Sequence, residues 1–372
     1  MSVQVSYRKQ IIFYIILILL VFVVTEITFR IYDPTLNFCR FEDPTIDQAT
    51  RVLICREHNA VEFDNELMEI RGIGVIQNQS EEVMRINNFG FRGADFNQNK
   101  TEGDIRIIAV GGSTTFGSGV INNSTYPVQL QNLINNNSSL NVEVINLGAS
   151  GFWSYDEVRL INQKAIDLEP DMIIVFDGWN DVIASTLEEE IKETSDARTR
   201  FLYIDNSIAD FLRNFQSLTS INRVVNYGDD LFGFYNKTIV SYDFSKSDKK
   251  IDEWESRWVK TCTSLKEKDI EIIIIIQPLV GTGEKNLTTY EQLWHTRYNG
   301  EGINIILEKY VDRLPLLNEY CSGAVDFRTI YDDVEVSIYL DNGHVNKLGT
   351  KILAEKIYEL ILPNIQLIKN EN

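Results

Sequence analysis

Apolar positions fall into three textures along the chain. Ile11 to Val24 is one unbroken run, IIFYIILILLVFVV. Residues 33–104 mix polar and apolar positions with no repeat. From residue 105 short apolar runs alternate with stretches of helical spacing. Ile105–Val110, Val142–Leu147, Met172–Phe176, Ile270–Ile276 and Ala324–Phe327 read as strands. Tyr126–Ile134, Tyr155–Leu168, Ile251–Lys268, Ile303–Tyr320 and Asn346–Leu362 read as helices. Strands this apolar are buried on both faces, which implies α/β architecture, a parallel sheet with helices on each side. In such sheets ligands meet the carboxyl ends of the strands. The loops after residues 110, 147 and 176, and the loop before the last helix, are therefore the places to look for chemistry.

The N-terminal run is fourteen residues long, short of the roughly 20 that a membrane span needs. Gln10 to Phe29 reaches that length if the Glu26 carboxylate extends to the interface. No small-x-small pattern follows the run, so retention is favoured over cleavage. Residues 1–32 are expected to form a signal anchor, a single transmembrane helix. Arg8 and Lys9 precede it and Arg30 and Arg40 follow it. The short N-terminal flank favours a cytoplasmic N-terminus with the bulk of the chain exocytoplasmic. Residues 33–104 form a connecting or accessory region, and 105–365 one catalytic domain. An insertion at 184–250 interrupts its alternation beside the expected site, as a cap or as a solvated excursion.

Charge sharpens the exclusions. The 372 residues carry 35 Lys+Arg and 54 Asp+Glu, a net charge of −19. That balance argues against nucleic acid as a partner and against electrostatic adhesion to anionic lipid. Membrane attachment must then rest on residues 11–24. The four cysteines are Cys39, Cys55, Cys262 and Cys321, with no CxxC and no Cys/His cluster. A zinc site is not expected, and neither a metal nor another cofactor is called for. A Cys39–Cys55 disulfide and four independent buried thiols stand as alternatives.

Four loops carry candidate chemistry. After the first strand comes Gly111-Gly112-Ser113-Thr114-Thr115-Phe116-Gly117, whose glycines permit a tight turn that pushes Ser113 forward. A Walker-type phosphate loop does not fit, because Ser118 stands where Lys is required. After the second strand, Asn146-Leu147-Gly148-Ala149-Ser150-Gly151 offers unobstructed backbone N–H groups. After the third, Asp177-Gly178-Trp179-Asn180-Asp181 offers the Asn180 amide. Before the last helix, Leu340-Asp341-Asn342-Gly343-His344 brings a carboxylate and an imidazole around one turn. Singly, each is an ordinary turn or cap. Together they supply a nucleophile, a base, an orienting carboxylate and oxyanion donors.

With these blocks in order over about residues 105–361, the chain resembles the SGNH hydrolases, the GDSL-like lipases and esterases. The resemblance implies a three-layer α/β/α sandwich with a five-stranded parallel sheet. It implies Ser113 as nucleophile and Asp341 and His344 as its triad partners. The oxyanion hole would comprise the Ser113 and Gly151 N–H groups and the Asn180 amide, with no metal. Gly112 departs from the family's G-D-S pattern, since it replaces the Asp. The N-terminal layout is similar to that of membrane-anchored members, in Glu26-x-x-x-Arg30 and in the Asn87-x-x-Gly90-Phe91-Arg92 stretch. The expected activity is hydrolysis of acyl esters through an acyl-enzyme, on short-chain, carbohydrate-linked substrates. Two alternatives share the scaffold: an O-acyltransferase that modifies surface glycans, and an inactive glycan-binding module. Trp153, Trp179, Trp294 and Tyr339 are candidate sugar-stacking aromatics, or simply packing.

Overall fold

The computed structural model describes residues 6–31, 83–185 and 247–371, with residues 46, 47, 50, 53, 54, 217 and 245. Cys39, Cys55, most of the 184–250 insertion and most of the 33–104 region lie outside the described residues.

Helix α1, Tyr7–Ile31, spans 25 residues. At 1.5 Å per residue that is about 37 Å, long and apolar enough to cross a membrane. Its one acidic side chain is partnered: Arg30 Nε donates to Glu26 Oε1 at 2.7 Å, and Ser217 N and Oγ donate to Glu26 Oε2 at 3.0 and 2.8 Å.

The remaining elements alternate. They are β1 (Ile105–Gly111), α2 (Ser113–Phe116), α3 (Tyr126–Asn137), β2 (Val142–Gly148), α4 (Ser154–Leu160), β3 (Met172–Asp177), α5 (Trp179–Ala184), α6 (Ser247–Lys266), β4 (Glu271–Ile276), α7 (Thr289–Arg297), α8 (Gly300–Val311), α9 (Leu314–Tyr320), β5 (Gly323–Asp326) and α10 (Lys347–Glu371). The five strands form one sheet in the order β2-β1-β3-β4-β5, parallel at every pairing.

Alternate strand residues feed two separate cores, because successive side chains point to opposite faces. Ile108, Val110, Ile173, Val175, Ile272 and Ile274 pack on one face with Leu160, Trp254, Trp258, Leu307 and Leu317. Ile107, Ala109, Ile174, Phe176, Ile273 and Ile275 pack on the other with Tyr126, Leu130, Ile134, Ile357 and Ile361. Helices α4, α6, α8 and α9 therefore cover one side, and α3 and α10 the other. This is the three-layer sandwich that the strand pattern implied. Met84, Ile86 and Phe91, which precede the alternation, join the first core.

Three helical expectations are refined. The helix over 303–320 is two, broken at Asp312-Arg313 ahead of Pro315, because α9 takes proline in its first turn. The helix from Tyr155 continues past α4 through a π turn at Ile161–Ala165 and a 3-10 turn at Ile166–Leu168. The closing helix runs on through Pro363 to Glu371.

The cysteines are not four independent thiols, and the expected Cys39–Cys55 pair falls outside the described residues. Cys262 on α6 and Cys321 after α9 are joined in a disulfide, with Cα atoms 4.9 Å apart across a sequence separation of 59.

Candidate active site

Three of the four candidate loops leave the carboxyl edge of the sheet. β1 ends at Gly111, and Ser113 opens α2 at once. β2 ends at Gly148, and the Ala149 N–H donates to Gly111 O at 3.0 Å, which draws the second loop against the first. β3 ends at Asp177, and Asn180 lies in the first turn of α5.

The final loop closes on itself. Tyr339 pairs with Val345 in an antiparallel bridge, and Leu340 N donates to His344 O at 2.8 Å. Asp341 Oδ1 accepts the Gly343 and His344 N–H groups at 3.0 and 2.9 Å. That leaves the fully buried Asp341 carboxylate facing the ring: His344 Nδ1 stands 3.0 Å from Oδ1 and 2.8 Å from Oδ2.

The opposite nitrogen reaches the serine. His344 Nε2 stands 2.7 Å from Ser113 Oγ. A carboxylate on Nδ1 selects the tautomer that donates there, so Nε2 accepts the Ser113 hydroxyl proton. Ser113, Asp341 and His344 thus form one continuous hydrogen-bonded row.

Asn180 reaches the second loop beside this row. Asn180 Nδ2 donates to Phe152 O at 2.6 Å, one residue past Gly151. Gly112 fills no space between them: a Cβ there would lie 2.4 Å from Asn180 Nδ2 and 3.1 Å from Phe152 O. The Asn180 amide therefore occupies the volume that any side chain at position 112 would need.

Sequence reasoning missed the supports behind these groups. Asp181 ties the second block to the third: Ser154 Oγ donates to its Oδ1 at 2.5 Å and Ser154 N to its Oδ2 at 2.8 Å. Arg257 Nη1 donates to Ser154 Oγ at 2.5 Å. Asp177 accepts from Trp254 Nε1 at 2.7 Å and from Gly178 N at 2.6 Å. Burial drives the Asp181 carboxyl well above the usual carboxylate range, and the nearby Asp177 adds to that rise, while Arg257 and Ser154 oppose it. Glu157, also buried, is raised in the same way by burial and then by Asp177, Asp181 and Asp156. Glu291 supports the last block: its carboxylate accepts from Lys285 Nζ at 2.9 Å and from the Ile338 and Tyr339 N–H groups at 2.9 and 3.1 Å. The Thr288-x-x-Glu291 capping box was a sequence signal for it.

The aromatics divide. Trp294 and Tyr339 are buried in a small core with Tyr331 and Ile338, so they pack. Trp153 and Trp179 are half-buried. His295 lies over Gly281 and Gly300, away from the row. Among the described residues, no three His, Cys, Asp or Glu side chains are arranged to hold a metal ion.

No family model and no curated protein sequence matches the chain. Solved structures do. The chain is similar to an acetyl xylan esterase, AlAXEase, at 14% identity, covering 69% of this chain and 100% of that one, with a TM-score of 0.41. It is similar to an acetylxylan esterase from Geobacillus stearothermophilus at 15% identity, covering 70% and 95%, with a TM-score of 0.41. It is also similar to a protein from Desulfitobacterium hafniense described as lipolytic and of the G-D-S-L family, at 12% identity, covering 69% and 99%, with a TM-score of 0.39.

Proposed function

We propose that this chain is a serine esterase of the SGNH type that cleaves acyl esters through an acyl-enzyme. The observation that carries the reading is the 2.7 Å approach of His344 Nε2 to Ser113 Oγ, with Asp341 on the far side of the ring.

As His344 removes its proton, Ser113 Oγ attacks the ester carbonyl. Asp341 stabilises the imidazolium that results. The carbonyl oxygen becomes an oxyanion, held by the Ser113 and Gly151 N–H groups and the second N–H of the Asn180 amide. Ser113 opens α2, so its own N–H has no acceptor within the helix. The tetrahedral centre collapses, the C–O bond to the alcohol breaks, and His344 returns its proton to the departing oxygen. Water then attacks the acyl-serine with His344 again as base, releasing the acid and restoring Ser113. Short acyl groups on carbohydrate are the substrate class we assign, on the half-buried Trp153 and Trp179 near the Asn180 loop.

The α1 helix anchors the chain, with the N-terminus cytoplasmic and the hydrolase domain exocytoplasmic. The Cys262–Cys321 disulfide supports an oxidising compartment. A fluorophosphonate probe on the full chain tests the central claim. It should label Ser113, and the Ser113→Ala protein should lose turnover of p-nitrophenyl acetate. A Ser113→Ala protein as fast as wild type would refute it.

A further inference from the structure

The Asn87-x-x-Gly90-Phe91-Arg92 stretch ends on a buried cation. Arg92 is 2% exposed, and its guanidinium lies against the backbone just beyond Ser113. Nη1 donates to Phe116 O at 3.1 Å and to Gly117 O at 2.5 Å. Nη2 donates to Val120 O at 2.6 Å and to Val83 O at 3.4 Å. Nε donates to Asn122 Oδ1 at 3.4 Å, and the guanidinium carbon sits 5.3 Å from the centre of the Phe116 ring.

These acceptors are not scattered. Helix α2 has four residues, far too few to hold its own geometry, since the first helical turn is costly to nucleate. Its terminal carbonyls need partners and favour a positive charge. Arg92 supplies both. Gly117 takes the left-handed conformation at φ 89°, and a Cβ there would crowd Arg92 Nη1 at 3.1 Å. The Gly117 and Ser118 N–H groups each donate to Ser113 O at 3.0 Å. The guanidinium therefore grips the segment whose own hydrogen bonds fix the Ser113 backbone.

The hairpin that presents Arg92 is rigid. Asn87 Oδ1 accepts the Phe89 and Phe91 N–H groups at 3.0 and 3.1 Å, and its Nδ2 donates to Ala94 O at 3.2 Å. Ile86 pairs with Arg92 across it, and Phe91 is buried in the core.

We propose that Arg92 is a positioning residue for the nucleophile: the Asn87–Arg92 hairpin clamps α2 from behind and keeps Ser113 Oγ on His344 Nε2. This rests on Ser113 being the nucleophile. A serine displaced by about 1 Å can lose about a hundredfold in rate while substrate binding is kept.

The test uses the full chain in detergent, with Arg92→Met, Arg92→Lys, Asn87→Ala and Ser113→Ala. Arg92→Met should lower kcat about a hundredfold with KM within about twofold. Fluorophosphonate labelling of Ser113 should slow in the same proportion. Arg92→Lys keeps the charge and part of the carbonyl grip, so it should recover part of both. A folded Arg92→Met protein with wild-type kcat and labelling rate overturns the proposal. So does a loss that only tracks the unfolded fraction in near-UV circular dichroism. If the Arg92 variants do not fold, Asn87→Ala decides. It loosens the hairpin with the guanidinium still present, and an unchanged kcat overturns the proposal. An active Ser113→Ala protein sinks the nucleophile assignment itself. Wild-type labelling at Ser113 with indifferent Arg92 variants sinks the positioning role alone.

Discussion

His344 Nε2 meets Ser113 Oγ at 2.7 Å although 231 residues separate them in sequence. The sheet accounts for this. Ser113 follows β1 at the carboxyl edge, and the 340–344 loop is carried to that edge by Glu291, which binds the Ile338 and Tyr339 amides. A nucleophile and a base from opposite ends of the domain are thus fixed by rigid elements rather than by each other.

Loss of either end of that contact should stop the chemistry. Ser113→Ala and His344→Ala should each lower kcat by a thousandfold or more, on the order of what removing one member of such a unit costs. Asp341→Asn is the more informative change. It preserves a side-chain acceptor for the Gly343 and His344 amides while removing the negative charge opposite Nδ1. It should lower kcat by roughly a thousandfold with little change in KM. Steady-state ester hydrolysis measures all three, and an Asp341→Asn protein within about threefold of wild type would remove Asp341 from the mechanism.

Gly112 should be intolerant of even one methyl group. Its φ of −78° lies outside the left-handed region that favours glycine. The collision is steric, with Asn180 Nδ2 at 2.4 Å. Gly112→Ala should displace the Asn180 amide and lower kcat by about tenfold to a hundredfold, approaching the cost of losing one oxyanion donor. Its melting temperature should stay near that of wild type. Asn180→Ala should cost about a hundredfold or more, and adding Gly112→Ala to it should cost little further. Additive losses in the double variant would show that the two residues act separately.

The sheet and the loops that carry Ser113, Asn180, Asp341 and His344 were legible in the sequence because each depends on local signals. Buried parallel strands are unbroken apolar runs, and loop chemistry sits at their ends. The supports were less visible. Arg92 donates to carbonyls, and Asp181 and Glu291 accept from N–H groups, of segments remote in sequence; the Thr288-x-x-Glu291 spacing signals a helix cap but not the reach to Ile338 and Tyr339. The Gly112 departure could be read as a missing Asp, but not as space claimed by Asn180. The Cys262–Cys321 bond was out of reach for a related reason: which cysteines meet is set by how α6 and α9 pack.

The buried acids beside α4 and α5 should make stability depend on pH in a particular sense. Burial holds Glu157 and Asp181 well above the usual carboxylate range. Above pH about 4 the unfolded chain has released these protons while the folded protein still binds them. Stability from these two groups is therefore greatest at low pH and declines as pH rises above about 4 toward their folded values. Other carboxylates tilt the total in other directions, so the comparison must be with Glu157→Gln. That variant keeps the shape and cannot ionise. It should match wild type near pH 4.5 and melt higher than wild type at pH 8. Melting curves of both proteins from pH 4.5 to 8 check this, and a difference between them that does not grow in favour of Glu157→Gln as pH rises would contradict it.

The Cys262–Cys321 disulfide should stabilise the domain without contributing to its chemistry. It encloses β4 together with α7, α8 and α9, in a loop defined by a separation of 59 residues. Closing a loop of that size restricts the unfolded chain, and removing such a bond typically costs about 2–4 kcal/mol. Its position decides the effect on catalysis. Cys321 stands just before β5, and Cys262 lies on α6, the helix that leads into β4. The bond thus clips helices near the amino ends of β4 and β5, while Ser113, Asn180 and His344 gather at the carboxyl ends. The double variant Cys262→Ala/Cys321→Ala leaves Cys39 and Cys55 unaltered. Its melting temperature should fall by several degrees, and its kcat at 25 °C should stay within about twofold of wild type. A variant with wild-type melting and a lost kcat would mean that the bond shapes the site across the whole length of the sheet.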